Sequence, residues 1–297
     1  MKDLISITDI NSDEIQHLIK SAVELKQGGR KPLLEGKTLA LLFEKPSLRT
    51  RVSFDVAMSQ LGGHAIYLSR AEVGLGEREP IADVARVLSR YIDGIVARTY
   101  AHDSVVLLAK HATIPVINGL SNEEHPCQIL SDLLTIYEKL GKLKGLTVAY
   151  IGDANNVANS LLLACSLVGI EFRISSPVGY ELHDEILARA KKIGGRITLI
   201  IDPREAAKDA DVLYTDVWTS MGQEAEAERR RAAFARYQVN EELLSLAKRD
   251  VIFMHPLPAH YGEEIAEGLL ESSHSVVFDQ AENRLHMQKA ILDKLLV

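Results

Sequence analysis

Thr38-Leu39-Ala40-Leu41-Leu42-Phe43, followed at once by Glu44-Lys45-Pro46-Ser47-Leu48-Arg49-Thr50-Arg51, is the stretch that decides how this chain folds. The first six residues form an apolar run of the kind found in buried parallel strands. Beyond the turn, Phe54, Ala57, Met58 and Leu61 recur at helical spacing. The octapeptide is therefore predicted to be a strand-to-helix turn. The first turn of a helix has free backbone N–H groups and a partial positive charge. A Ser, a Thr and two Arg are added to it here. Donors, hydroxyls and guanidinium forks converging on one point suit a phosphate-like dianion. The plain alternative is an arginine-rich surface turn with a Ser or Thr cap. Two cations at a helix N-terminus oppose its dipole, however, and an unfavourable local choice of that kind marks function.

The same alternation runs outward in both directions. Upstream, Asn11 with Glu14 resembles a capping box, Ile15, Leu18, Ile19, Ala22 and Val23 keep helical period, and Gly28-Gly29 ends the helix. Downstream, a short strand at 64–68 and a polar loop at 69–80 precede a helix marked by Ile81, Val84, Ala85 and Leu88. A strand at 94–97 ends at Arg98; a helix near 102–112, a strand at 115–118 and a turn at 119–124 follow. His125-Pro126-Cys127-Gln128 opens a long helix to about Leu140, with Pro at a favoured first position.

After Gly141 and Gly145 the pattern restarts. A strand at 146–151, a Gly152-to-Asn156 turn, a helix at 157–168 and a strand at 170–174 form a βαβ unit. It lacks G-x-G-x-x-G, so no dinucleotide is expected. Further units give a helix near 182–193 and strands at 197–201, 212–215 and 251–254. Residues 224–236 are charged on most faces and read as solvated. Helices near 240–248 and 263–271, a strand at 276–278 and a C-terminal helix from about 280 complete the prediction. Alternating strand and helix indicates an α/β protein with two doubly wound parallel sheets. Unusual polar residues gather where strands end: Ser47 and Arg49, Arg98, Asn118, Asp153 with Asn156, Asp216, and His255. Open α/β sheets bind ligands at that edge, which predicts one site fed by both sheets in the cleft between domains.

The bulk numbers bound the function. The chain has 297 residues, 46% hydrophobic and 25% charged, with a net charge of −7. That composition supports a sizeable core and argues against a general nucleic-acid or anionic-membrane binder. The two cysteines, Cys127 and Cys165, form no disulfide framework and suit a reducing cytoplasm. The N-terminus lacks a signal-peptide apolar region, and the longest apolar runs are too short to cross a bilayer.

Three constellations carry chemistry. Arg49, Arg51 and Arg98, with Ser47, Thr50, His125 and Gln128, suit a small ligand bearing a phosphate and a carbonyl. Arg98 alone would be an ordinary salt-bridge partner, and His125 alone a helix-start histidine. Asp216-Val217-Trp218-Thr219-Ser220-Met221-Gly222 offers a carboxylate for an ammonium and a hydroxyl, while Trp218 and Met221 taken singly read as packing. In His255-Pro256-Leu257-Pro258 two prolines predict an extended backbone that can aim carbonyl oxygens at a ligand. A rigid turn is the equal alternative. His255 and His260 raise the idea of a metal, but no carboxylate or Cys is read at ligand spacing, so none is expected.

Taken together, Ser47 to Arg51, His125 to Gln128, Asp216 to Gly222 and His255 to Pro258 resemble the aspartate/ornithine carbamoyltransferases, in order along nearly the whole chain. The Asp216-to-Gly222 loop is similar to the ornithine branch; an Arg-x-Gln element of the aspartate branch is absent. The resemblance implies transfer of a carbamoyl group from carbamoyl phosphate to the δ-amine of ornithine, giving citrulline and phosphate. It implies a carbamoyl-phosphate-binding domain at 1–134 and an ornithine-binding domain at 135–280, with a helix at about 281–297 returning to the first. It further implies a homotrimer or multiple of trimers with active sites at subunit interfaces, ordered binding, and no metal or organic cofactor.

Carried over by position, Ser47, Leu48, Arg49, Thr50 and Arg51 would hold phosphate, with Arg49 also in a catalytic role. Thr50, Arg98 and His125 would polarise the carbamoyl oxygen, and Gln128 would lie near the carbamoyl amide. Pro256, Leu257 and Arg284 would also contact carbamoyl phosphate. Asn156, Asp216, Ser220 and Met221 would hold ornithine. Two positions depart from the family pattern: Pro256 replaces the usual Cys, and Gly74 stands where a Gln is usual. These departures frame two other expectations, a carbamoyltransferase for another amine (putrescine, a modified ornithine or aspartate) and a catalytically silent carbamoyl-phosphate-binding paralogue.

Overall fold

The computed structural model describes residues 1–28 and 31–297. The chain divides into two compact units, Met1–Leu134 with Glu282–Val297, and Thr135–Ala281. Helix α1 (Ser12–Gln27) has Asn11 as N-cap, with Glu14 reciprocating in a capping box. Gly28 caps its C-terminus; Gly29 lies outside the described residues.

The first unit carries a four-stranded parallel sheet built from β1 (Thr38–Phe43), β2 (His64–Ser69), β3 (Gly94–Arg98) and β4 (Val116–Leu120), in the order β2-β1-β3-β4. Helices α2 (Leu48–Gln60), α3 (Arg70–Val73), α4 (Ile81–Leu88), α5 (His102–His111) and α6 (Pro126–Leu140) follow successive strands. The loop expected at 69–80 is therefore partly helical, because Ser69 and Glu72 cap one short turn. Leu42, Ile95, Ala97, Val105, Leu108 and Val116 pack together on one side of this sheet. Strand order reverses between β1 and β3, so the turn after β1 and the end of β3 flank a topological switch point.

The second unit carries a five-stranded parallel sheet: β5 (Thr147–Ile151), β6 (Glu171–Ser175), β7 (Arg196–Ile200), β8 (Val212–Tyr214) and β9 (Ile252–Met254), in the order β7-β6-β5-β8-β9. Its helices are α7 (Asn156–Val168), α8 (Asp184–Ile193), α9 (Pro203–Ala207), α10 (Ala227–Phe234) and α11 (Glu241–Leu246). The switch point lies between β5 and β8. Ile151, Leu213, Phe234, Phe253, Ile265 and Val277 belong to one buried cluster beside the sheet. The fold class is thus two parallel α/β units, each with its chemically unusual residues at the C-terminal edge of its strands.

Two expectations fail near the end of the chain. Residues 263–271 form no α-helix; Ile265 bridges to Val239 and Tyr261, and only Leu269–Glu271 makes a 3₁₀ turn. Gly262 and Gly268, at φ +80° and +76°, break any continuous helix there. The strand expected at 276–278 is instead the start of α12 (Val277–Leu296), after a single bridge from Ser275 to Phe253. In the first unit, α12 is clipped to α1 and α2 by Lys289, whose buried ammonium donates to Leu25 O and Gln60 Oε1, both at 3.1 Å. No helix among the described residues is long and apolar enough to cross a membrane.

Candidate active site

In the first unit, Ser47 is the N-cap of α2 and its hydroxyl accepts from the Thr50 N–H at 3.2 Å. The N–H groups of Leu48 and Arg49 begin the helix and have no partner within it. Leu48 is 74% exposed, so only its backbone can serve a ligand. Thr50 is buried, and its hydroxyl accepts from Arg284 Nη2 at 3.0 Å. Arg284, on α12, also donates to Gln128 Oε1, and Gln128 Nε2 donates to Asp132 at 2.9 Å. Residues far apart in sequence thus lock one another around the start of α2.

Arg98 reaches this group through a bulge. The β3–β4 register runs Ala97 to Asn118 but Arg98 to Leu120, which leaves Gly119 unpaired. A Cβ on Gly119 would lie 2.9 Å from Val96 Cγ1 and 3.3 Å from Ala97 O. Gly119→Ala is therefore expected to cost about 1–3 kcal/mol of stability. Shifting β3 would also lower kcat. Thermal unfolding and steady-state kinetics on the variant check both.

The electrostatics of this group are lopsided. Arg49 and Arg98 make no ion pair among the described residues, and Arg98 Nε is buried without a partner. Burial, with Arg284 and Arg49 nearby, pushes Arg98 down to about 10. Burial, again with Arg284 and Arg98, holds His125 well below its usual range, so it is a neutral imidazole at physiological pH. A neutral imidazole can donate one hydrogen bond to a carbonyl oxygen without adding another positive charge. Arg51 is placed differently from its neighbours: it is exposed and stacks 3.8 Å over the Tyr67 ring.

Sequence reasoning missed Lys45. It is buried, donates to Asn122 Oδ1 at 2.7 Å and sits 4.5 Å over the Tyr100 ring. Burial first and Arg98 second lower its pKa. The signal was its place inside the decisive stretch; what the sequence withheld was its burial.

In the second unit, Asp216 follows β8 and is buried. Asn155 Nδ2 donates to its Oδ2 at 2.7 Å and the Val217 N–H to its Oδ1 at 2.8 Å. Burial raises its pKa. No cation pairs with it among the described residues. Asn155, which makes this contact, also caps α7, its Oδ1 accepting from the N–H groups of Val157 and Ala158. Asn156 is half-buried at the first helical position. Ser220 is half-buried with its N–H on Gln223, and Met221 is 48% exposed.

The expectation that the arginines of 224–236 are solvated is corrected at Arg230, which is 6% exposed. It donates to Asp153 Oδ2 at 3.0 Å and to the Trp218 carbonyl at 2.9 Å, joining the turn after β5 to the Asp216–Gly222 loop. Arg229 and Arg231 are exposed as expected.

The extended backbone expected at Pro256-Leu257 is also corrected. Leu257 has φ +58°, and its N–H donates to His255 Nδ1 at 2.9 Å. The tether curls the chain back on the imidazole, overriding the extended preference before proline. Carboxylates do stand at ligand spacing from His260: Glu263 and Glu264 bring ligand atoms within 4.8 Å of it. Both already have protein partners, Glu263 with Arg231 at 2.9 Å and Glu264 with His255 at 3.2 Å.

Comparison with known proteins finds relatives for both units. Residues 2–138 match the family model described as the aspartate/ornithine carbamoyltransferase carbamoyl-P binding domain, and residues 144–295 the Asp/Orn binding domain. The chain is 54% identical over 300 residues to an ornithine carbamoyltransferase of Archaeoglobus fulgidus, covering 100% of this chain and 98% of the relative. It is 54% identical over 299 residues to an anabolic ornithine carbamoyltransferase of Pyrococcus furiosus, covering 98% and 95%. Among solved structures, the ornithine carbamoyltransferase from Pyrococcus furiosus matches with TM-score 0.95 at 52% identity, covering 99% and 97%. That from Thermus thermophilus matches with TM-score 0.93 at 49% identity, covering 100% and 99%.

Proposed function

This chain belongs to the aspartate/ornithine carbamoyltransferase family, and we propose from that footing that it carries the carbamoyl group of carbamoyl phosphate to the δ-amine of L-ornithine. The observation that carries the reading is the excess of positive charge at the β1–β3 switch point, where, among the described residues, Arg49 and Arg98 stand without carboxylate partners beside Arg284. Such a group is incomplete without an anion. Ser47, the α2 N–H groups, Arg49 and Arg51 hold the phosphate; for Arg51 this requires its side chain to leave Tyr67. Thr50, Arg98 and neutral His125 donate to the carbamoyl oxygen, and Gln128 addresses the amide.

Ornithine completes the second unit by the same logic. Asp216 is a buried carboxylate with no ion-pair partner among the described residues, so an α-ammonium supplies the missing charge. Asn156, Ser220 and the Met221 backbone hold the remaining α-amino and α-carboxylate atoms. Aspartate would bring a second carboxylate on its side chain, where ornithine brings an amine.

The chemistry follows. The neutral δ-amine attacks the carbamoyl carbon, the oxyanion collects at Arg98, His125 and Thr50, and the C–O bond to phosphate breaks. An alkyl ammonium ionises near pH 10.4, so the proton must leave before attack. The departing phosphate takes up a proton, and the Pro256 or Leu257 carbonyl accepts from the attacking nitrogen. Pro256 has no thiol, so this acceptor is backbone. Activity is expected to rise with pH between 6 and 9; a flat profile with chemistry rate-limiting counts against the mechanism.

The assembly is a homotrimer or a multiple of one, and the compartment is the cytoplasm; sedimentation equilibrium tests the first. The deciding assay measures ureido product from carbamoyl phosphate with ornithine, aspartate, putrescine, acetylornithine and lysine side by side. Turnover with ornithine alone supports the reading, and turnover with another amine moves the substrate. Asp216→Asn is expected to raise the ornithine KM about 10- to 100-fold, the worth of one charged hydrogen bond. The carbamoyl phosphate KM should hold.

A further inference from the structure

Glu264 takes no part in the carbamoyl transfer described above, yet both it and His255 are wholly buried. Glu264 Oε1 accepts from the His260 backbone N–H at 2.6 Å and lies 3.2 Å from His255 Nε2. On the far side of the ring, His255 Nδ1 lies 2.9 Å from the Leu257 backbone nitrogen. A peptide N–H can only donate, so Nδ1 must present its lone pair. The ring proton then sits on Nε2 and is donated to Glu264. The His255 backbone N–H is held in turn by Gln280 Oε1 at 2.9 Å. One tautomer is thereby selected by a carboxylate on one side and read by a peptide on the other.

That peptide matters for its opposite end. The Pro256–Leu257 bond is trans, so the Leu257 N–H and the Pro256 carbonyl point in opposite directions within one plane. Anchoring the N–H to the imidazole turns the carbonyl away from it. Leu257 meanwhile sits at φ +58°, a region a leucine enters only when its surroundings demand it.

We propose that Glu264 is a positioning residue for carbamoyl transfer: by holding His255 in its Nε2–H tautomer it fixes the Leu257 N–H and aims the Pro256 carbonyl at the reacting nitrogen. This rests on the reading that Pro256 and Leu257 face the ligand. A residue of another type could fill the space of Glu264; only an acceptor at Oε1 selects the tautomer.

The test uses full-length protein and four variants, with kcat normalised to correctly folded enzyme by circular dichroism and active-site titration. Glu264→Gln keeps a carbonyl acceptor and is expected to stay within about threefold of the parent, whereas Glu264→Ala is expected to lose about 100-fold in kcat, the scale of a 1 Å misplacement. Both substrate KM values should change little. The Asn amide oxygen in His255→Asn falls near the place of Nδ1 and can still accept from Leu257, so this variant should outperform His255→Gln, whose amide falls near Nε2. Nitrogen-15 spectra of histidine-labelled parent protein should show His255 protonated at Nε2 alone. Full kcat in Glu264→Ala, His255→Gln outperforming His255→Asn, or protonation at Nδ1 overturns the proposal. If the parent fails to carbamoylate ornithine, the substrate reading fails by itself, and the tautomer spectrum still decides the positioning chain.

Discussion

Arg98→Met is expected to lower kcat for citrulline formation about 1,000-fold while making the ligand-free protein more resistant to heat. The two effects have one cause. Arg98 is buried beside Arg284 and close to Arg49, with no carboxylate to pair it among the described residues. In the empty protein that charge is a liability: burial, with Arg284 and Arg49 nearby, pushes its ionisation down to about 10. In the site proposed above, bound carbamoyl phosphate would set the same charge against a dianion and an incipient oxyanion. Removing one preorganised donor of this kind costs about 100- to 1,000-fold; Arg98 carries a formal charge as well, which sets the upper figure. A methionine fills the stem's volume without the repulsion, so the melting temperature of the free protein should rise. The gain in melting temperature on adding carbamoyl phosphate should shrink, because binding contributes stability only in proportion to affinity. Calorimetry with and without carbamoyl phosphate, alongside initial rates, checks all three. Arg98→Lys should recover part of the rate, since it restores charge but not the planar fork. Unchanged kcat in Arg98→Met would place the oxyanion elsewhere.

Arg230→Gln is expected to raise the ornithine KM about 10- to 100-fold and to destabilise the protein by about 3–5 kcal/mol. The guanidinium spans Asp153, after β5, and the carbonyl of Trp218, within the loop that runs from Asp216 to Gly222. Its Nε also donates to Glu226 Oε2 at 3.1 Å, and the guanidinium lies 5.0 Å over the Tyr180 ring. Breaking a buried pair leaves its partner uncompensated, which gives the stability figure. The KM figure is the worth of a charged hydrogen bond now missing from the loop that presents Ser220 and Met221. Carbamoyl phosphate KM should not move, and a parallel change in both constants would show general loosening instead. Burial pushes Asp153 up to about 6 against the pull of Arg230. The native state therefore binds this proton more readily than the unfolded chain does. The group's contribution to stability accordingly falls as pH rises from about 4 to about 6. The ionic link to Arg230 forms over the same window, so ornithine KM in the unaltered protein should rise as pH drops through 6.

The decisive stretch and its counterparts were legible because they are local. An apolar run of six, a Ser cap and a helical period leave their signature in neighbouring residues, and so do the polar residues at strand ends. The errors fell where neighbours do not decide. Val276 to Phe278 has too few residues to distinguish a strand from a first helical turn. In 263–271 the apolar spacing was met by bridges from Ile265 to Val239 and Tyr261, contacts no local pattern reports. The part played by Asn155 went unread because its partner Asp216 stands 61 residues away.

By itself, then, the sequence determined the alternation of strand and helix, the restart near Gly141 and Gly145, and the residue types at each strand's end. The tertiary structure decided strand order, and with it the switch points that bring the turn after β1 beside Arg98 and Asp153 beside Asp216. It also decided which charges are buried. Arg230 differs from Arg229 and Arg231 only in the face of α10 it occupies, and its partner Asp153 stands 77 residues away. Period and capping are properties of a few consecutive residues. Burial and pairing are properties of a packed chain, where one side chain's environment is made by others that the sequence leaves far apart.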